Sequence, residues 1–176
     1  KEKLKKIGEN HDTYDEYFNY LVNKFNLKDY IEYKNITIDI ESHNFFHTNQ
    51  PIDLLFSDAN DSGPNGCIQI LSFYLTKMSE YSDIFIDRAS TMNHSFLTLE
   101  YIINNLQKGK IPKILLKFKT KEEINYLYDF VKKSKFTLIH LAESPENKAN
   151  RHQNSTAWIK IEPLDIFIGN NVENYI

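Results

Sequence analysis

The residues best suited to chemistry lie just beyond apolar runs. Ser57, Asp58, Asn60 and Asp61 follow one run at 52–56, Asp87 and Arg88 close another at 82–89, and His140 and Glu143 close a third. A carboxylate at such a place can take a proton or face a cation, while Ser57 and Asn60 add hydrogen-bonding groups. The intervening stretch NDSGPNG is built from turn-forming residues and leaves room for a ligand. In an open parallel sheet, loops after the carboxyl ends of strands line the ligand crevice, so these positions are the first candidates. Asp58 and Asp61 can alternatively cap the turn and the helix after it.

Other constellations carry less. Asp87 and Arg88 are adjacent and in a continuing strand would point to opposite faces. His43 and His47 have the i, i+4 spacing of helical metal ligands, with Glu41 nearby, but HNFFH brings no further clear ligand and no metal is expected. The sequence has no Gly-x-Gly-x-x-Gly or Walker-type loop, only five glycines, and no Gly-x-Ser-x-Gly around any serine. Nucleotide triphosphatase and hydrolase readings therefore lose support. Cys67 stands alone and rules out an internal disulfide.

The elements that must position these groups alternate. Tyr14, Phe18, Leu21, Val22 and Phe25 predict an amphipathic helix over 12–26, and Ile31, Tyr33, Ile36, Ile38 and Ile40 predict a strand. IDLLFSDA at 52–59 and SDIFIDRA at 82–89 read as buried strands, with a helix over 67–80 between them carrying Ile68, Leu71, Leu75 and Met78 inward. A second helix follows, with Phe96, Leu99, Ile102, Ile103 and Leu106 inward and Gly109 as its stop. KILLKF, the helix EEINYLYDFVKKS, FTLIHLAE and TAWIKIE continue the alternation, with a polar loop at 144–154. The expectation is one domain over 1–176. It is an α/β fold with a mostly parallel sheet, helices on both faces and an antiparallel strand pair near the C-terminus.

Composition narrows the classes. Net charge is −3, which points to neither a nucleic-acid binder nor a polyanionic tail. The charge is unevenly spread: residues 31–107 carry 3 positive and 10 negative charges, residues 108–135 carry 9 positive and 3 negative. The later lysines are the basis of a phosphate-contacting alternative. Lysine outnumbers arginine 19 to 2 and asparagine reaches 19, a bias of AT-rich coding that discounts arguments from either residue. No run approaches the ~20 apolar residues of a membrane span, and the cytoplasm is the expected compartment. Starting at Lys1 inside a charged helical stretch fits a piece of a longer chain.

With the elements in this order, the sequence resembles the class I S-adenosylmethionine-dependent methyltransferases, over roughly residues 12–163. LVNKFNLKDYIEYKNITIDI is similar to the passage where a helix ends in a Phe-Gly-Leu-x-Asp turn and enters the third strand, with Asn26 in place of glycine. IDLLFSDANDSGPNG resembles the fourth-strand motif, SDIFIDRAS the fifth strand, the helix at 121–134 the last helix, and FTLIHLAE with TAWIKIE the reversed sixth and seventh strands. The resemblance implies a Rossmann-like fold and methyl transfer from S-adenosylmethionine to an O or N acceptor, small or peptide-linked. It implies Asp58 near the reacting methyl with Asp61 as helper, Asp39 or Glu41 reaching the adenine, and Ser57 and Asn60 at the cofactor. The sequence departs from the family in having neither the glycine-rich loop after a first strand nor the acidic end of a second. It also has Asp87-Arg88 where the metal-dependent branch tends to have Asp-Asn, and that arginine would repel a divalent cation. The competing readings are a noncatalytic module of this shape that binds a protein or nucleic-acid partner, and a nucleic-acid-associated domain using the 108–135 lysines.

Overall fold

The computed structural model describes residues 13–34, 36, 49–58, 64–90, 93–117, 119–142 and 155–164. The chain forms two compact units, Lys1–Ile38 with His43–Phe46, and Asp39–Ser42 with His47–Ile176.

In the first unit, helix α1 (Tyr14–Lys24) starts where a capping box satisfies orphan backbone donors. Thr13 Oγ1 accepts from Glu16 N–H at 3.2 Å and Glu16 Oε2 accepts from Thr13 N–H at 3.3 Å. Its packing is light: Val22 is buried, but Tyr14 and Phe25 are exposed. Asn26 takes a left-handed conformation (φ 54°) just past the end, as asparagine tolerates. Tyr33 closes back on the helix, its ring 4.6 Å from that of Phe18 and its hydroxyl donating to Asp15 Oδ1 at 2.6 Å. That hydrogen bond raises the phenol's pKa, because it favours the neutral form. The strand expected across 31–40 does not include residues 31–34, which lack regular structure. Residues 37–40 lie outside the described residues.

The second unit is a four-stranded mixed sheet with helices. Strand β1 (Ile52–Ser57) leads to α2 (Pro64–Tyr74), a 3-10 turn (Leu75–Lys77) and β2 (Met78–Asp87). Helix α3 (Asn93–Gln107), the single turn α4 (Lys113–Leu116), helix α5 (Lys121–Lys133), β3 (Ser134–Ala142) and β4 (Ser155–Pro163) complete it. The spatial order is β1-β2-β4-β3. β1 and β2 pair in parallel, and β4 pairs antiparallel with both β2 and β3. Three strands therefore point one way, but insertion of β4 makes two of the three ladders antiparallel. The C-terminal antiparallel pair is as expected, whereas the sheet is mixed rather than mostly parallel in its pairing.

Three further expectations are corrected. The helix predicted over 67–80 ends at Tyr74, and β2 begins as early as Met78. Met78 pairs with Ile52 and is buried, so it reaches the core as a strand residue rather than as part of a helical face. KILLKF is no strand: Lys113–Leu116 forms one helical turn after Pro112, whose missing N–H cannot join a ladder, and Leu115 is fully buried. Third, burial is one-sided. Ile84, Ile86, Ala157, Ile159, Ile161 and Phe136 form the covered face, while their neighbours Phe85, Trp158 and Ile139 are only half-buried.

The covered face meets α3 and α5. Gln107 Nε2 donates to Phe136 O at 2.9 Å, and the Phe130 and Phe136 rings meet edge to face at 6.2 Å. Leu99, Ile102, Ile103 and Leu106 of α3 are buried as expected. Gly109 ends that helix with φ 67°, a left-handed position where a Cβ would be strained. A second capping box, between Thr120 and Glu123, starts α5.

Candidate functional site

β1, β2 and β3 share one carboxyl end, and the polar residues gathered there fall into two groups. The ladders fix their separation. Ser57 pairs with Ile86, Ile86 with Ala157, and Ala157 with His140. Ser57 and His140 thus occupy opposite edges of one row, three strand spacings or about 14 Å apart.

At the β1 edge, Ser57 is buried and Asp58 exposed. Asp58 lies one residue past Ser57 and hence abreast of Asp87, the last residue of β2. Arg88 does not continue the strand. It adopts φ 58°, and its backbone N–H donates to Ser155 O. The reversal lets its side chain return to its neighbour, with Arg88 Nε 3.2 Å from Asp87 Oδ2. The expectation that these side chains point to opposite faces is thereby corrected, since it holds only where the strand runs on. Asn60, Asp61, Asp39, Glu41, Glu143, His43 and His47 lie outside the described residues. Among the described residues no group of three or more His, Cys, Asp or Glu side chains could hold a metal ion.

At the β3 edge the structure assembles a relay from three elements. Ser90, in the turn after β2, has its Oγ 2.8 Å from His140 Nδ1. His140 Nε2 lies 3.1 Å from Glu100 Oε1 on α3. Glu100 Oε2 in turn accepts from Asn104 Nδ2 at 3.1 Å, one helical turn further on. Phe96 packs its ring 4.3 Å from the imidazole. A carboxylate only accepts, so in the neutral ring Nε2 carries the proton and Nδ1 is left to accept from the Ser90 hydroxyl. His140 was legible from its place near a strand end, but Ser90 and Glu100 were not. The available signals were faint: Ser90 shares the turn of Arg88, and Glu100 is the only acidic residue between 93 and 117.

Other features lie elsewhere. A cleft of about 850 Å³ opens where β1 and β2 begin, lined by Asp53, Ser79, Tyr81, Tyr126 and Phe130. There Ser79 Oγ donates to Asp53 Oδ1 at 2.7 Å. Lys119, between α4 and α5, reaches inward to donate to Ser72 O, and burial lowers its pKa. No helix among the described residues is long and apolar enough to cross a membrane. No protein-family profile, characterised protein or solved structure matches the chain.

Proposed function

We propose that the second unit is a Rossmann-like, methyltransferase-like module of the cytoplasm. In this reading it transfers a methyl group from S-adenosylmethionine to an O or N acceptor, small or peptide-linked, at the carboxyl end of β1 and β2. The observation that carries the reading is the parallel β1–β2 pair, whose register sets exposed Asp58 abreast of Asp87 at the end where α/β sheets bind ligands. The segments similar to the family's fourth to seventh strands also fall in a single sheet, with the last two antiparallel.

The residues at this end suit the cofactor by charge. A sulfonium is cationic, and Asp58 offers a solvated carboxylate, while Asp87 is partly neutralised by Arg88. When bound, S-adenosylmethionine supplies an activated methyl group. The protein's own share is to align the acceptor and remove its proton, and Asp58 is the residue assigned to that task, with Asp61 as helper. Ser57 and Asn60 are assigned to the cofactor, and Asp39 or Glu41 to its adenine.

The test is calorimetric titration of the chain with S-adenosylmethionine and S-adenosylhomocysteine, repeated with Asp58→Ala. Micromolar binding weakened by the substitution supports the reading. No heat at millimolar cofactor removes it. A second reading, a noncatalytic module that binds a partner, is favoured by the edge strand β1, where Leu54 and Phe56 are each 62% exposed.

A further inference from the structure

We propose that Ser90 is an acyl-accepting nucleophile, with His140 as its general base and Glu100 as the positioning residue, acting on small, unhindered acyl esters. The proposal does not rest on the methyl-transfer reading and involves no cofactor. Its basis is the continuous hydrogen-bonded path from Ser90 Oγ through the His140 ring to Glu100, which joins residues 50 and 40 positions apart in the chain. A serine hydroxyl is a weak nucleophile unless an adjacent base takes its proton, and the base works best when a third group fixes its tautomer. Both conditions are met here.

The surroundings support the assignment. The His140 side chain is 20% exposed and that of Glu100 39%, so the imidazole is shielded while Ser90, half-buried in the turn, remains reachable. Phe96 against the ring limits its rotation, and Asn104 holds the second oxygen of Glu100. Ser90 sits in the turn between β2 and α3, two residues past Arg88, whose left-handed conformation turns the chain out of the strand. Helix α3 begins three residues beyond Ser90.

In the reaction, Ser90 Oγ attacks the ester carbonyl carbon and its proton passes to His140 Nδ1. Collapse of the tetrahedral species breaks the carbon–oxygen bond to the leaving alcohol, which takes that proton. Water, deprotonated at Nδ1, then attacks acyl-Ser90, releasing the carboxylic acid, and the proton returns to Ser90.

The experiment treats the whole chain with a fluorophosphonate probe, maps the adduct by peptide mass spectrometry, and follows p-nitrophenyl acetate turnover against pH. The expected result is an adduct on Ser90, slowed at least about a hundredfold in His140→Gln, with Glu100→Gln shifting the pH profile. An unmodified Ser90 in a chain whose circular dichroism shows it folded overturns the proposal. So does labelling at an unchanged rate in His140→Gln. The wild-type adduct is read directly, so its presence or absence decides even where a variant fails to fold.

Discussion

The two faces of the sheet are made by alternate residues of the same strands, yet they are in different environments. On β2 and β4, Ile84 and Ile159 are fully buried, while Phe85 and Trp158, one residue away, stay half-exposed. The covered face is held mainly by apolar burial against the helices. The open face uses more specific contacts: the Phe85 and Trp158 rings stack at 5.6 Å, the indole N–H donates to Asp83 Oδ1 at 2.6 Å, and Lys160 pairs with Glu162 at 2.7 Å. That ion pair raises the lysine's pKa and lowers the glutamate's, each favouring its charged form, but both groups are in water. The difference shows that, among the described residues, apolar burial is concentrated on one face of the sheet.

Substitutions on the two faces are expected to differ in cost. Ile159→Ala removes a side chain with no exposure and is expected to cost about 2–5 kcal/mol in urea unfolding. A cost below about 1 kcal/mol would mean that the covered face is not the core. A double-mutant cycle on Phe85 and Trp158 is expected to give a coupling of about 0.5–1.5 kcal/mol from the stacked pair. Phe56→Ser, on the open face of an edge strand, is expected to change stability by no more than about 0.5 kcal/mol. A larger loss would show that this face is covered in solution.

The smallest effect is a slope rather than a midpoint. Burial lowers the pKa of Lys119 below its ordinary value of 10.5, so the unfolded chain binds more protons between the two values. Its contribution makes stability rise with pH across that alkaline window. Lys119→Met is expected to flatten the rise in urea midpoints there. An unchanged slope would show that the ammonium is solvated.

Much of this architecture was legible in the sequence because it depends on neighbours in the chain. The strand segments at 52–59 and 82–89, the helical periodicity in α3 and its stop at Gly109 are local patterns with local causes. KILLKF shows the limit. Four apolar residues among lysines suit a short strand or a helical turn equally, and Pro112 together with packing on α2 decided for the turn. The relay shows it more sharply. No local motif marks Ser90, and Glu100 reads as one polar residue on an amphipathic helix.

The sequence by itself thus determined the alternation of elements, the inward face of α3, its stop at Gly109 and the placing of polar residues after apolar runs. Propensity, periodicity and side-chain capping act within a few residues. Tertiary structure alone decided that β4 inserts between β2 and β3, that burial among the described residues favours one sheet face, and that Ser90, Glu100 and His140 meet. The physical reason is that ladder order and helix packing are chosen by total burial and backbone pairing across the fold. Groups 40 to 50 residues apart come within hydrogen-bond distance only once that choice has been made.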